Sequence, residues 1–311
     1  MIKKSFDNKF LYLTLLVLAF LTMSLLIPFI PIGKLLYGIK EQKNLIMGIF
    51  TAITIFTTGI VMLLQFSIVY QIAKLNLNWK KVLLLMLSSI ILIVITILWI
   101  HFSLNKMKPF PERYSYFEQV FIVIQNIGII PLYQKSFYSL FIICLCTGFG
   151  ALLSFIVREK NLLVPVMLCC ALVDIWTVTL GFVSKTMQKA PEIIGSVSAG
   201  VPMVGSGKTF SSISTIGIGD FIFPALVFAC VFRFGFNGKR NFWFMFSFLL
   251  IGMLLIILDI IPFLPALICV ASAAIIANWK EFTLSRKEIL YIAIVFLLLF
   301  FVLISFRFFM K

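Results

Sequence analysis

Asp174 and Asp220 are the residues of this chain whose type and position most clearly indicate chemistry. Asp174 lies within the apolar run Leu162–Val183, and Asp220 lies within the run Ile216–Phe234. An ionised carboxyl group at bilayer depth costs about 2.5–3.5 kcal/mol even on the most permissive scale, so acidic residues inside membrane segments are functional candidates by default. We therefore begin from this pair and ask which elements must position it.

The polar connection Ser184–Thr215 joins the two apolar runs that carry the aspartates. If these runs are antiparallel helices, the helical rise places Asp174 roughly 16 Å deep. It places Asp220 about 15 Å deep, provided that its helix begins near Phe210. Two carboxyl groups that face each other at short distance tend to share one proton. The ionised member can then take a proton from water while the protonated member polarises an amide carbonyl, as in aspartic proteases.

The composition predicts an all-α polytopic membrane protein. Hydrophobic residues make up 62% of the 311 residues and charged residues only 12%, and apolar runs long enough to cross a bilayer recur along the chain. A soluble globular protein is excluded. The net charge of +15 comes from cations spread over the loops between apolar runs, without a dense basic tract, so we predict a lipid bilayer partner and no nucleic-acid partner.

The apolar runs predict a bundle of about nine or ten transmembrane helices. The clear spans are Phe10–Ile32, Leu45–Ala73, Val82–Leu104, Phe137–Val157, Leu162–Val183, Ile216–Phe234, Phe242–Leu258, the short Pro265–Ala277 and Ile289–Met310. Ser115–Leu132 is ambiguous, since its polar stripe suits either a crossing helix beside a cavity or an interfacial helix. Lys and Arg divide almost evenly between the two sides in either case, so the positive-inside rule does not fix the orientation.

Two short motifs accompany the aspartates. Gly217 and Gly219 precede Asp220, where the absence of side chains lets water or a substrate backbone approach and weakens the helix by about 1 kcal/mol per glycine. Pro265-Ala266-Leu267 follows Pro262 at the start of a short span, and the two prolines predict a non-helical loop near membrane depth. Such irregular backbone is tolerated in a membrane only where it is buried in protein or lines a cavity.

Together, these residues resemble the presenilin and signal peptide peptidase family of intramembrane aspartyl proteases. That family pairs an aspartate on one span with a Gly-x-Gly-Asp aspartate on the next, and a Pro-Ala-Leu motif follows two spans later. The resemblance covers roughly Leu162–Ala277 and implies a presenilin-type catalytic core. Two departures stand out, namely Val173 where the family usually has tyrosine, and a span count that exceeds the family's nine if Ser115–Leu132 crosses.

The resemblance implies three parts of the chain: an N-terminal scaffold over 1–135, a catalytic core over 136–278 and a C-terminal hydrophobic helix over 279–311. It implies hydrolysis of peptide bonds in or near transmembrane helices of membrane-protein or signal-peptide substrates, with Asp174 and Asp220 activating water. An unwound substrate segment would join the protein as an added strand, and the edge for it is expected at Val201-Pro202-Met203-Val204. The protein is expected in the plasma membrane if its source is prokaryotic and in an endomembrane if its source is eukaryotic.

Other functions stay open at this point. A proton- or cation-coupled secondary transporter also places acidic residues at mid-membrane, with Asp174 and Asp220 as a relay. A non-catalytic protein of the same fold would have little reason to keep both acids. Prepilin peptidases share Gly-x-Gly-Asp but continue with lysine where Ile222 stands. The sequence gives no indication of accessory subunits.

No cofactor, metal or nucleotide is predicted. The six cysteines lack metal or redox spacing and are expected to be packing residues. The single histidine, His101, lies at a span end and is expected at the membrane interface. Gly205-Ser206-Gly207-Lys208-Thr209 departs from a phosphate-binding loop, because Pro202 occupies the position of its first glycine.

Overall fold

The computed structural model describes residues 2–30, 43–107, 115–125, 132–179, 198–202, 212–258, 260–261 and 265–309. Within these ranges the chain is predominantly helical. The helices are α1 (Ile2–Leu26), α2 (Lys43–Lys74), α3 (Trp79–Met107), α4 (Tyr116–Gln125), α5 (Leu132–Ser154), α6 (Leu163–Thr179), α7 (Gly219–Phe234), α8 (Gly238–Ile257), α9 (Ala266–Asn278) and α10 (Arg286–Phe309). Two strands, β1 (Ser198–Pro202) and β2 (Ser212–Gly217), precede α7.

Six of the described helices contain segments long and apolar enough to cross a membrane. These segments are Lys9–Phe29, Gly48–Lys74, Trp79–Lys106, Leu132–Ser154, Lys160–Thr177 and Gly238–Ile256. Their lengths suit the hydrocarbon core of a bilayer, which about 20 apolar helical residues span. The protein is therefore a membrane-embedded, multi-pass helical protein, as its composition predicted.

The core of the bundle lies where α2, α5 and α7 meet. Phe66 of α2, Ile143 of α5 and Phe228 of α7 are all fully buried. The closest approach is at Gly150 of α5, where an added Cβ would overlap the carbonyl oxygen of Ile222 and the Cβ of Ala225 on α7. This glycine allows the two backbones to approach, as small residues commonly do between membrane helices.

Large apolar side chains are exposed on the outer helices. On α3, Leu84 is 70% exposed and Ile91 58% exposed, and on α1 Leu11 is 61% exposed. In a soluble protein such a surface would be an aggregation hazard. In a bilayer it is the surface expected to face the lipid tails.

Polar contacts fix α8, α9 and α10 relative to their neighbours. Asn241 of α8 and Asn278 of α9 are both fully buried and exchange two side-chain hydrogen bonds of 2.8 and 2.7 Å. Asn161, in the short connection before α6, donates to the carbonyl of Thr283 at 3.1 Å and to Glu288 at 3.3 Å. Buried amide pairs of this kind favour one axial register over alternatives.

The segment Ser115–Leu132 is described in part, as the helix α4 over Tyr116–Gln125. These ten residues extend about 15 Å, which is half the thickness of a bilayer core. Glu118 accepts the N–H of Ser115 at 2.7 Å, so this acidic residue stabilises the start of α4. Residues 126–131 lie outside the described residues, so whether the segment crosses stays open.

The span predicted over Ile216–Phe234 is corrected in its first residues. Ser212–Gly217 forms β2, and α7 begins at Gly219, so the helix does not begin near Phe210 and the predicted depth of Asp220 does not follow. Ile213, Thr215 and Ile216 are β-branched, which favours an extended backbone. Asp220 therefore lies at the start of a helix, not within one.

A two-stranded antiparallel sheet stands before α7. Its register pairs Ser198 with Gly217, Ala199 with Ile216 and Val201 with Ser214, with an irregularity between Val201 and Pro202. Ala199 is fully buried. Two of the four residues expected to provide a strand edge, Val201 and Pro202, belong to β1; Met203 and Val204 lie outside the described residues.

Candidate active site

Asp174 lies near the end of α6 and is held by the first turn of α9. Its Oδ2 accepts the backbone N–H of Leu267 at 2.9 Å. Leu267 is the second residue of α9, whose N-cap position is Pro265, a residue without a side-chain cap. The first N–H groups of a helix have no partners within the helix and carry its positive dipole end, so they favour a carboxylate.

Asp220 lies at the start of its own helix. It is the second residue of α7, and its Oδ2 accepts the backbone N–H of Gly217 at 3.2 Å. Gly217 is the last residue of β2, so the turn between strand and helix supplies the donor. Each aspartate thus sits beside a helix N-terminus and is held by one backbone N–H through Oδ2.

The fold brings the two aspartates into one neighbourhood. Helix α9 contacts both α6 and α7. The carboxyl groups of Asp174 and Asp220 interact electrostatically with each other, and both interact with Cys269 on α9. As whole residues, both aspartates are partly buried, and the Asp220 carboxyl group is the more enclosed of the two.

The Pro-Ala-Leu motif forms the start of α9. Pro265 has φ −64° and ψ 108°, an extended conformation, and Ala266 begins the helix. The Leu267 side chain is buried at 8% exposure. The residues before the motif, Pro262 to Leu264, lie outside the described ranges. The sequence predicts that this motif shapes a cleft. The hydrogen bond from the Leu267 N–H to Asp174 was not predicted.

The roles expected of the two glycines differ in the structure. Gly217 lies in β2, so the expectation that it weakens a helix is wrong for this position. A Cβ added at Gly217 would lie 3.6 Å from Oδ2 of Asp220, whereas one added at Gly219 would meet nothing within 4 Å among the described residues. Of the two, Gly217 is the one that leaves space directly beside the carboxyl group.

Val173 stands where the resembled family usually has tyrosine. Its side chain is 44% exposed. A tyrosine-dependent hydrogen bond is therefore not part of this site as described.

A second polar cluster was not anticipated from the sequence. His101 of α3 is buried at 7% exposure, and its Nε2 lies 3.0 Å from Oε1 of Gln119 on α4. Lys135 of α5 is 1% exposed, with its ammonium group 5.3 Å from the ring centroid of Tyr138 on the same helix. Neither contact includes an aspartate, and the predicted position of His101 at the membrane interface stays a prediction.

Metal ligands are not clustered in the part of the chain that the structure describes: no group of three or more His, Cys, Asp or Glu side chains there is placed to hold an ion. The glycine-rich segment Gly205–Thr209 lies outside the described residues.

No protein family, curated protein or solved structure matches this chain. The fold and the site define a multi-pass helical membrane protein with two acidic residues held at helix N-termini. Its function is therefore inferred from the residues of the site.

Proposed function

We propose that this protein is an intramembrane aspartyl endopeptidase of the presenilin and signal peptide peptidase type. The observation that carries the proposal is the hydrogen bond from Leu267 N–H to Asp174 Oδ2, which joins the first aspartate to the Pro-Ala-Leu motif across 93 residues of sequence. The electrostatic interaction between Asp174 and Asp220 supplies the pairing that the chemistry needs.

The hydrogen bonds to the aspartates leave one oxygen of each carboxyl group free. Both backbone donors bind Oδ2, and neither Oδ1 has a hydrogen-bond partner among the described residues. In the proposed reaction the two free oxygens hold one water molecule. The fixed Oδ2 atoms restrict the rotation of both carboxyl groups, which lowers the entropic cost of reaching the reactive geometry.

The proposed reaction uses one ionised and one protonated aspartate. The ionised carboxylate takes a proton from water as the water oxygen attacks the amide carbon, and the protonated partner donates its proton to the carbonyl oxygen. The tetrahedral intermediate collapses when the scissile C–N bond breaks, and the nitrogen leaves with a proton from the carboxyl group that gained one from water. One hydroxyl of the intermediate returns its proton to the partner carboxylate, which restores the starting protonation of the pair. One water is consumed, and an acid and an amine are released.

The sheet before α7 suits a substrate in extended conformation. Strand β2 ends at Gly217, whose N–H binds Asp220, so a substrate strand added to the β1–β2 sheet would lead toward the carboxyl groups. A transmembrane helix must be unwound locally before its amides are accessible, and strand addition satisfies the freed backbone groups. Val201 and Pro202 of β1 are the described residues that we propose for this edge.

The helix arrangement supports the same family. Helices α3 and α5 run antiparallel, since Gly148 lies beside Met86 whereas Tyr133 packs on Trp99. The C-terminal end of α3 and the N-terminal end of α5 therefore lie on the same side of the bundle. Since α4 lies between them in the chain, it need not cross the membrane. If α4 does not cross, the predicted spans number nine, which is the number found in the family; six of them are described helical segments long and apolar enough to cross a membrane.

A proton- or cation-coupled transporter is the second candidate. Thr54, Thr58 and Gln65 line up on α2, are at most 5% exposed, and have side-chain atoms without hydrogen-bond partners among the described residues. Buried groups of this kind favour bound water, and a water-filled path is what an ion relay needs.

The decisive experiment reconstitutes the purified protein in liposomes with a single-span helical substrate. Cleavage is expected for the wild type and is expected to fall by about a thousandfold in Asp174→Asn and in Asp220→Asn, because each change removes one member of the acid pair. Glu118→Gln, which changes an acidic residue that caps α4, is the matched control and is expected to cleave normally. Cleavage that survives either aspartate substitution would refute the mechanism.

The same liposomes distinguish the transporter. Proton-coupled uptake that both aspartate substitutions abolish, with no substrate cleavage by the wild type, would replace the protease proposal with the transporter.

A further inference from the structure

A cavity of about 610 Å³ lies between the ends of α1, α2 and α8, on residues that take no part in the candidate active site. Its walls include Lys9 of α1, Tyr70, Gln71 and Lys74 of α2, and Lys239 and Trp243 of α8. A volume of this size is typical of a small-molecule site.

Three lysines from three different helices line the cavity. Lys9 and Lys74 are partly buried, whereas Lys239 is exposed at the cavity rim. None of them pairs with a carboxylate in the part of the chain that the structure describes, where the ion pair present joins Arg240 to Glu281 at 3.5 Å. Three like charges around one space repel one another, and an anion bound among them offsets that repulsion.

Gln71 adds an uncharged donor to the same wall. Its side chain is 9% exposed and has no hydrogen-bond partner among the described residues, although it lines the cavity. The Gln71 amide lines the cavity, so its N–H groups are available to a ligand oxygen. The cavity therefore offers three ammonium groups and a neutral amide, a set that suits a phosphate group.

The cavity lies at the level of a membrane interface. The membrane-spanning segment of α1 begins at Lys9, that of α2 ends at Lys74, and that of α8 begins at Gly238. Trp243, at the cavity wall, is 57% exposed, and Tyr12 of α1 is 54% exposed. Exposed tryptophan and tyrosine at span ends are typical of the headgroup region of a bilayer.

An apolar surface continues from the cavity along α1. Leu11, Leu15 and Leu18 follow Lys9 on this helix and are 61%, 55% and 54% exposed. A ligand with a phosphate group in the cavity and hydrocarbon chains along these leucines would satisfy both parts of the surface. This continuity favours a lipid over a soluble phosphate.

The wall of the cavity is built around Tyr70. Its ring packs against Phe228, Phe232 and Phe242, with centroid distances of 5.3, 5.2 and 5.2 Å. Lys74 Nζ lies 6.0 Å from the centroid of the same ring. A Cβ added at Gly238 would come within 2.8 Å of Phe232 and 3.1 Å of the Tyr70 hydroxyl. This packing fixes one side of the cavity in position before any ligand binds.

We propose that this cavity binds the phosphate-bearing headgroup of an anionic phospholipid, with Lys9, Lys74, Lys239 and Gln71 contacting the headgroup and the hydrocarbon chains lying along α1. The site is separate from the two aspartates, so it stands whether the protein is a protease or a transporter.

The test uses the full-length protein in a neutral detergent and measures thermal unfolding during titration with short-chain phosphatidylglycerol. Phosphatidylcholine with the same chains and inorganic phosphate are titrated in parallel. Phosphatidylglycerol is expected to raise the unfolding temperature at concentrations where the other two have little effect, because it alone combines an anionic headgroup with hydrocarbon chains.

The key variant replaces Lys9, Lys74 and Lys239 by glutamine. Apparent affinity for phosphatidylglycerol is expected to fall about fivefold for each lysine removed, or on the order of a hundredfold for the three. The matched control replaces Lys80, Lys81 and Lys280, which are exposed residues outside the cavity, and it makes the same change in net charge. The control is expected to bind nearly as well as the wild type.

A second variant tests the amide. Gln71→Leu is expected to weaken phosphatidylglycerol binding severalfold, because it removes the amide donor from the cavity wall. The unfolding temperature in phosphatidylcholine is expected to stay unchanged, since leucine fills a similar volume.

Three results would overturn the proposal. Equal loss of binding in the two lysine variants would mean a general charge effect. Equal stabilisation by phosphatidylcholine would mean that the headgroup charge is not recognised, and equal stabilisation by inorganic phosphate would assign the cavity to a soluble anion.

Discussion

The two aspartates are held in the same way but by donors of different origin. Asp220 accepts its hydrogen bond from Gly217, three residues earlier, whereas Asp174 accepts from Leu267, 93 residues later and on another helix. The geometry of Asp220 is thus determined by a local turn. That of Asp174 exists only when α6 and α9 are packed together, which makes it the half of the site most sensitive to assembly of the bundle.

Of the changes that test this difference between the two aspartates, removal of the Leu267 N–H should have the largest effect on activity. Leu267→Pro eliminates the N–H that binds Asp174, and proline in the first turn of a helix is otherwise tolerated. Since hydrogen bonds to charged groups contribute about 1.5–3 kcal/mol, proteolysis is expected to fall by roughly ten- to a hundredfold. Initial rates of cleavage of the reconstituted substrate measure this loss of activity.

Two controls distinguish loss of the Leu267 N–H from loss of the Leu267 side chain and from the steric effect of a proline ring. Leu267→Ala keeps the N–H and loses the buried side chain, and Ala266→Pro places a proline one residue earlier while keeping the Leu267 N–H. If either control loses as much activity as Leu267→Pro, the hydrogen bond is not the reason.

The second-largest expected effect is a loss of stability when the contact between α5 and α7, the helix that carries Asp220, is overpacked. Gly150→Ala places a Cβ against the backbone of Ile222 and the Cβ of Ala225, and overpacking of this kind costs about 1–3 kcal/mol. Thermal unfolding in detergent measures the loss. Gly148→Ala is the matched control, because its Cβ would meet mainly the flexible side chain of Met86. An unchanged unfolding temperature in Gly150→Ala would contradict the close packing of α5 and α7.

The local half of the site can be tested by adding one methyl group. Gly217→Ala keeps the N–H donor and places a Cβ 3.6 Å from Oδ2 of Asp220, so folding is expected to be unaffected while activity falls about tenfold, from loss of space for water and substrate. Gly219→Ala should retain activity and gain up to about 1 kcal/mol of helix stability. Equal activity in the two variants would show that the space beside Gly217 is not used.

The smallest effect concerns a third carboxylate at a helix start. Glu288 accepts the N–H of Ser285 at 2.6 Å and its own N–H donates to Ser285 Oγ at 3.2 Å, a reciprocal cap at the start of α10. The Ser285 N–H holds the pKa of the exposed Glu288 carboxyl below its usual value. A lowered pKa in the folded state stabilises the helix start above the unfolded pKa, and the contribution is lost as pH falls through the folded pKa.

Acidification below about pH 4 is therefore expected to increase fraying at the start of α10. Amide hydrogen exchange of this turn, relative to Glu288→Gln at each pH, measures the change. If the ratio of the two exchange rates does not vary with pH, the cap does not act through the carboxylate.

Six of the predicted spans correspond to helical segments long and apolar enough to cross a membrane, and they were predictable because long apolar runs have few alternatives in a bilayer. Asp174 and Asp220 were singled out as candidates for the same reason, since acidic residues are conspicuous in such runs. The start of α7 was predicted wrongly, because the run Ile213–Gly217 is apolar enough to extend a helix while its β-branched residues favour a strand. These β-branched residues were the feature of the sequence from which the strand could have been predicted.

The bond between Asp174 and Leu267 could not be predicted from the sequence. Every residue except proline has the same backbone N–H, so a donor of this kind leaves no trace in residue types. The one indication was Pro265, which marks the start of a helix and therefore a set of free N–H groups. Which carboxylate would meet them depends on the packing of α6 against α9, a contact between distant parts of the chain.

The buried pair Asn241–Asn278 sets the position of the Leu267 N–H from the opposite end of α9. This helix has only 13 residues, or about 20 Å, and the amide pair holds its last residue to α8. A slip of one turn would break both amide hydrogen bonds and withdraw the donor from Asp174 by about 5.4 Å. The position of Asp174 relative to α9 therefore depends partly on two asparagines that lie at the far end of that helix from the candidate site.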